Sequence, residues 1–284
     1  MAKTALERKR RVDVNRLSVE TESQALPLLE IRSLTTTFPG EHRTFAAVND
    51  VSLTVRAGRV TALVGESGSG KSATALSVMG LIDAPGRIEA GEIRLGGIDL
   101  RGLSKKSLQA SRGREMAMIF QDPVQALNPV IPIGRQLTET IRRHRSNVKR
   151  AEARRIAIEQ LRRAGLDDAE RLMSAYAFEL SGGMCQRIMI ALALVSGAKL
   201  LIADEPTTAL DVSVQAFILR ELDRVRREDN VGILLITHDL GVVAELADDL
   251  YVMRAGRIVE YGEAAEVFDN PRHVYTQELL DSRL

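Results

Sequence analysis

The chain has 284 residues, enough for one large domain or a domain with a subdomain. Apolar residues make up 45% and charged residues 27%, ordinary for a soluble globular protein, and 39 Lys and Arg nearly cancel 38 Asp and Glu. The net charge of +1 gives no global argument for nucleic acid or anionic lipid as a partner, and a single cysteine, Cys185, excludes an internal disulfide and points to a reducing compartment.

The N-terminus carries Lys3, Arg8, Lys9, Arg10, Arg11 and Arg16 with few apolar neighbours. No signal peptide is read there, and residues 1–27 are expected to be a solvated, flexible extension, with a weak contact to lipid head groups or a partner as the alternative. From Leu28 strand signals begin, over residues 28–34 and 46–55, followed by the short apolar run 60–64 that ends at Gly65. Residues 72–81 read as a helix closed by Gly80 and Pro85. Strand, glycine loop and helix open an α/β unit. Residues 91–95 and 116–120 are further strand candidates. Residues 133–173 change to helical spacing and carry Arg142, Arg143, Arg145, Lys149, Arg150, Arg154 and Arg155, read as the solvated face of a helical subdomain. The longest apolar stretch, 188–198, stops at Lys199, short of the roughly 18 apolar residues a membrane span needs, and reads as a buried helix. Any work at a membrane is therefore expected from the side. A strand at 200–203, a helix at 212–227, a strand at 232–237, then a short helix and strands up to Ile258 complete the pattern of a mainly parallel sheet covered on both faces.

The segment Gly65-Glu66-Ser67-Gly68-Ser69-Gly70-Lys71-Ser72 matches a phosphate loop in full. Its glycines let the backbone curl so that N–H groups point inward, and the following helix, through Ala73, presents its positive end to the same phosphates. Lys71 reaches the β and γ phosphates, and the Ser72 hydroxyl is a ligand for Mg²⁺. The strand 200–203 runs into two carboxylates. Asp204 is placed to hold Mg²⁺ through its water shell, and Glu205 to polarise an attacking water as general base. Gln121 follows one strand and is a candidate for the metal and the water. His238 follows another and is a candidate for the γ phosphate. Leu180-Ser181-Gly182-Gly183-Met184 precedes an apolar helix, so Ser181 and the N–H groups of Gly182 and Gly183 form a second anion site.

These residues, in this order, resemble the nucleotide-binding subunit of an ABC transporter: the Walker A loop at 65–72, the Q-loop Gln121, the signature at 180–184, the Walker B strand at 200–205, the D-loop Ala209-Leu210-Asp211 and the switch His238. The resemblance covers roughly residues 28–282. It extends to the ATPases of dipeptide, oligopeptide and nickel importers. The carriers are residues 120–129 (Phe-Gln-Asp-Pro-Val-Gln-Ala-Leu-Asn-Pro), 178–187 (Phe-Glu-Leu-Ser-Gly-Gly-Met-Cys-Gln-Arg) and 271–280 (Pro-Arg-His-Val-Tyr-Thr-Gln-Glu-Leu-Leu). The resemblance implies an α/β fold of the P-loop NTPase class. It would have a mainly parallel sheet, an antiparallel β-subdomain and an inserted helical subdomain, with the ATP-binding core at 28–122 and 175–284 and the helices at 123–174.

It also implies ATP and Mg²⁺ as ligands and a head-to-tail dimer with a second ABC ATPase subunit, a related chain or a copy of itself. Each ATP would lie between one chain's Walker A loop and the other's Ser181, Gly182, Gly183 and Asp211. Two membrane permease subunits, one meeting the helical subdomain through a coupling helix, and indirectly an extracytoplasmic solute-binding protein complete the assembly, on the cytoplasmic face of the inner or plasma membrane. Phe38 fits the adenine-stacking position best and Phe45 second. The chain departs from the family pattern at Cys185, where a basic or polar residue is common and the expected effect is either a less polar partner-facing end or none, and at Val274, where proline is common. With one cysteine and no cysteine-bearing tail, no iron–sulfur cluster is expected. The rival reading is an ABC-type ATPase acting on nucleic acid. It is disfavoured because only about 100 residues separate Walker A from the signature with no sustained heptads, and because there is one cassette and a neutral overall charge.

Overall fold

The computed structural model describes residues 26–40, 43–145, 147–208 and 210–281, with only the backbone of Ser213. The basic residues of the N-terminal extension and Ala209 lie outside the described residues. The chain divides into two compact units, Met1–Ser104 with Asp223–Leu284, and Lys105–Leu222.

The first unit holds two sheets. Strands β1 (Leu29–Pro39), β2 (Thr44–Val55), β4 (Arg87–Leu95) and β5 (Ile98–Asp99) form an antiparallel sheet in the order β2-β1-β4-β5. Strands β3 (Val60–Val64), β8 (Gly232–Thr237), β9 (Asp249–Arg254) and β10 (Arg257–Glu263) form a mixed array in the order β10-β9-β3-β8, in which β3 is parallel to both β8 and β9. Every residue of β3 and of β8 is buried. That is why both read as unbroken apolar runs, as strands covered on both faces do. Helix α1 (Lys71–Met79) follows β3 and ends on Gly80 in the left-handed conformation, whose N–H returns to the last turn.

The second unit is mainly helical around a short parallel pair, β6 (Met116–Ile119) and β7 (Leu200–Asp204). Its longer helices are α4 (Ile133–His144), α5 (Arg150–Arg163) and α7 (Gly182–Val195); α2 (Lys105–Ser111), α3 (Pro123–Ala126) and α6 (Ala169–Leu172) are short. Ile133, Leu137 and Ile141 on α4, and Ala153, Ala157 and Leu161 on α5, recur every four residues and are all fully buried. With Ile188, Ala191 and Val195 of α7 they form one core. Each buried Leu or Ile stabilises by about 1.5–3 kcal/mol. Arg142, Arg143, Lys149, Arg150, Arg154 and Arg155 occupy the outer faces and are exposed, whereas Arg145 is half-buried and donates to the Val195 carbonyl at the end of α7, 3.1 Å away.

Helix α8 (Val212–Glu228) carries the chain from one unit to the other, and α9 (Leu240–Leu246), α10 (Ala264–Asp269) and α11 (Val274–Asp281) close the sequence. The start of α11 is tied to β10 by Glu260, whose carboxylate accepts from the backbone N–H of Arg272 at 2.7 Å and of His273 at 3.0 Å. Burial raises the pKa of this carboxyl, but the hydrogen bonds it accepts outweigh burial and hold it below the usual carboxylate range. A depressed native pKa contributes stability that is present above the unfolded value and is lost as pH falls through the folded one. Amide protection of α11 is therefore expected to weaken as pH drops below about 4, near the ordinary glutamate value. In Glu260→Gln that acid step should disappear. Hydrogen exchange against pH checks this, and a native profile flat through the acid range would contradict it. No helix among the described residues is long and apolar enough to cross a membrane.

Candidate functional site

In the first unit the phosphate loop joins β3 to α1. Two of its glycines have no substitute. A Cβ on Gly70, which sits at φ 108°, would lie 2.2 Å from the Ala47 carbonyl oxygen, and one on Gly65 would lie 2.1 Å from that of Met253. The loop therefore presses its backbone against its neighbours as only glycine can. Gly70 is also the N-cap of α1. It brings no side chain to cap the first turn, and that turn contains no acidic residue, the arrangement an anion site requires. Lys71 is only 5% exposed, and its ammonium donates to the carbonyls of Gly65 (2.9 Å) and Glu66 (2.8 Å) and contacts Ser69 Oγ (3.4 Å). A buried cation is thereby held by its own loop. Ser72 and Ala73 follow in the first turn of the helix. Phe38 and Phe45 are direct cross-strand partners on β1 and β2. Phe38 is half-buried with its ring edge over Gly86, while Phe45 is 60% exposed, so Phe45 offers the more open ring. His238 is half-buried in a pinned turn after β8: Asp239 caps α9 by accepting from Gly241 N and Val242 N, and its own N–H donates to Thr237 Oγ1 at 3.0 Å.

In the second unit the parallel register pairs Met116 with Leu200 and Ile119 with Ala203. Continued two residues further, the same offset sets Gln121 beside Glu205. Gln121 Nε2 donates to Glu205 Oε2 at 2.9 Å, and the Thr208 hydroxyl donates to the same oxygen at 3.0 Å. Glu205 stands at φ 46°, a left-handed conformation that L-residues avoid and that is held at a cost of roughly 1–3 kcal/mol where surrounding structure over-determines it. Asp204, the last residue of β7, is 4% exposed.

Ser181 is the N-cap of α7 and accepts from Met184 N at 3.3 Å. Ser181 and Gly182 are exposed, and a Cβ on Gly182 would meet nothing within 4 Å. Asp211 has a capping contact too, its Oδ1 accepting from Val214 N at 2.9 Å near the start of α8. Of the two expected effects of Cys185, a less polar signature end or none, its position favours the second. Its side chain is fully buried, its Sγ lies 3.5 Å from the Ala177 carbonyl, and burial pushes the thiol pKa up. The helical period turns position 185 into the core, while 181 and 182 face out.

Sequence reasoning missed Gln186 and Thr208. Gln186 is 2% exposed and its amide donates to the Pro206 carbonyl at 2.7 Å, tying α7 to the turn that carries Glu205. A glutamine at the head of the apolar run of this helix is the signal that marks it.

The residues fit a magnesium nucleotide. In the first unit the loop is a cradle that a Cβ would fill, and it ends in the Ser72 hydroxyl, a hard oxygen donor of the kind that Mg²⁺ takes alongside phosphate and water; in the second unit the Asp204 carboxylate is a donor of the same kind. Among the described residues no three His, Cys, Asp or Glu side chains are grouped to hold a metal by themselves.

A family model described as ABC transporter matches residues 48–208. The dipeptide transport ATP-binding protein of Escherichia coli (strain K12) is 46% identical over 255 residues, covering 90% of this chain and 78% of that protein. The oligopeptide transport ATP-binding protein of Bacillus subtilis (strain 168) is 48% identical over 256 residues, with the same shares covered. Among solved structures, a dimeric post-hydrolysis state of an ATP-binding cassette bound to ADP and Pi superposes with a TM-score of 0.75 at 26% identity, covering 83% of this chain and 98% of that one. The chain belongs to the ABC transporter family, whose ATP-binding cassette it carries.

Proposed function

We propose that the chain is the ATP-binding and ATP-hydrolysing subunit of an importer of peptides or similar small solutes. The observation that carries the reading is the glycine cradle closed around the buried ammonium of Lys71. The names of the relatives at 46–48% identity support the peptide cargo. Lys71 and the N–H groups of residues 68–73 bind the β and γ phosphates. Ser72, Gln121 and Asp204 are the residues that would hold Mg²⁺, which would supply charge neutralisation at the phosphates. Glu205 takes a proton from the attacking water, and His238 donates to the γ phosphate. An aromatic ring, Phe38 or Phe45, stacks on the adenine. Ser181, Gly182, Gly183 and Asp211 serve the nucleotide held by a second ATPase subunit, which is a related chain or a second copy. The dimer works peripherally, on the cytoplasmic face of the inner or plasma membrane, with two permease subunits and, through them, a solute-binding protein.

Affinity recovery of the tagged chain from detergent-solubilised membranes tests this. Two permease subunits and a second ATPase subunit are expected in the eluate. An eluate of nucleic acid that stimulates hydrolysis would overturn the transport reading.

A further inference from the structure

The phosphate loop must hold its inward N–H groups in place although it is built from glycines and serines, which lose much conformational freedom when ordered. Two fastenings in the first unit bear on its outward side. Gly256 N donates to the Ser69 carbonyl at 2.9 Å, a contact between backbone groups. The other fastening is made by a side chain from the far end of the chain: Glu66 N donates to the Tyr275 hydroxyl at 3.1 Å.

Tyr275 is built into its place. It is 2% exposed, and the Arg254 guanidinium lies over its ring, 4.6 Å from the centroid. Its own N–H donates to His273 Nδ1, and the turn that carries it is held by Glu260 through the N–H groups of Arg272 and His273. The hydroxyl is therefore delivered to the loop by a fixed element.

The peptide unit that it touches matters most. The amide plane joining Gly65 to Glu66 is rigid. Its N–H is held by Tyr275 and its carbonyl by the Lys71 ammonium, 2.9 Å away. One peptide plane thus links the Tyr275 hydroxyl to the cation of the cradle. Freeing the N–H end lets the plane rotate, and the carbonyl that orients Lys71 turns with it.

We propose that Tyr275 is a positioning residue for the phosphate loop, and that the C-terminal segment after β10 is thereby a working part of the nucleotide site. The proposal rests on the reading of residues 65–72 as that site. It deepens the reading by making nucleotide affinity depend on how α11 is seated.

Tyr275→Phe keeps the ring under Arg254 and removes only the hydroxyl. In the full chain carrying Glu205→Gln to suppress hydrolysis, calorimetric titration with MgATP should give a Kd raised about fivefold to tenfold, the size of one lost hydrogen bond. In the otherwise native chain the same substitution should raise KM by a similar factor and leave kcat at saturating ATP unchanged. The thermal midpoint should barely move. Hydrogen exchange should show the Glu66 amide protected in the native chain and exposed in Tyr275→Phe. Weakened MgATP binding in both Lys71→Ala and Tyr275→Phe supports the proposal. Weakened binding in Lys71→Ala alone, or an unprotected Glu66 amide in the native chain, overturns it. Unchanged binding in both variants overturns the functional reading of the loop, and the proposal with it.

Discussion

Glu205→Gln is expected to bind ATP as the native chain does and to hydrolyse it at least ~100-fold more slowly, the lower range for losing a general base. The substitution is close to isosteric. The Glu205 oxygen that accepts from Gln121 Nε2 and Thr208 Oγ1 is replaced by an amide oxygen that can still accept from both, though more weakly than a carboxylate. The left-handed backbone at φ 46° and the Gln186 tie to Pro206 do not depend on the carboxylate charge. What the variant lacks is basicity at an atom held in place from two sides, so the loss should fall on kcat and not on affinity. Phosphate release at saturating ATP, beside a calorimetric Kd, separates the two. Turnover close to native would remove Glu205 from the role of base and leave the Gln121–Glu205 contact with a structural purpose only.

The parts of this fold that were legible in the sequence are those fixed by local pattern. Strands β3, β7 and β8 are buried along their whole lengths, so they read as apolar runs within a residue or so of their true ends. The phosphate loop was legible because glycine spacing and the following lysine follow from the backbone it must adopt. Strand β4 begins at Arg87, four residues before the predicted start at Gly91, because the short polar–apolar alternation Arg87-Ile88-Glu89-Ala90 is interrupted by Gly91, which reads as a boundary although the strand runs through it. The contact between Gln121 and Glu205 was not legible, since it depends on a strand register that no local pattern states. The burial of Cys185 was not legible, because sequence neighbours share a motif but not a helix face; Ser181 looks outward and Cys185 into the core. The helix at 274–281 was seen only as part of a family stretch. Its capping carboxylate, Glu260, lies on a strand, and its tyrosine reaches a loop 209 residues away in sequence. Contacts of that kind become visible only when the chain is folded.

Lys71→Ala should lose nucleotide affinity itself. The ammonium is 5% exposed and acts in two ways. It ties the Gly65 and Glu66 carbonyls together, which fixes the curl of the loop, and it places a positive charge where the β and γ phosphates must lie. Alanine removes both. A charged hydrogen bond contributes about 1.5–3 kcal/mol, which corresponds to roughly 10- to 150-fold in Kd. The effect should be large for ATP and ADP. It should be small for AMP, whose single phosphate lies outside the reach assigned to Lys71, so AMP serves as the internal control. The folded state should persist, because the loop is still fastened by Gly256 at Ser69 and by Tyr275 at Glu66. Calorimetric titration with each nucleotide, together with a thermal melt, measures all of this. Unchanged ATP affinity in a folded Lys71→Ala chain would contradict the cradle, and an equal loss for AMP would mean that the lysine acts through the shape of the loop and not through its charge on the outer phosphates.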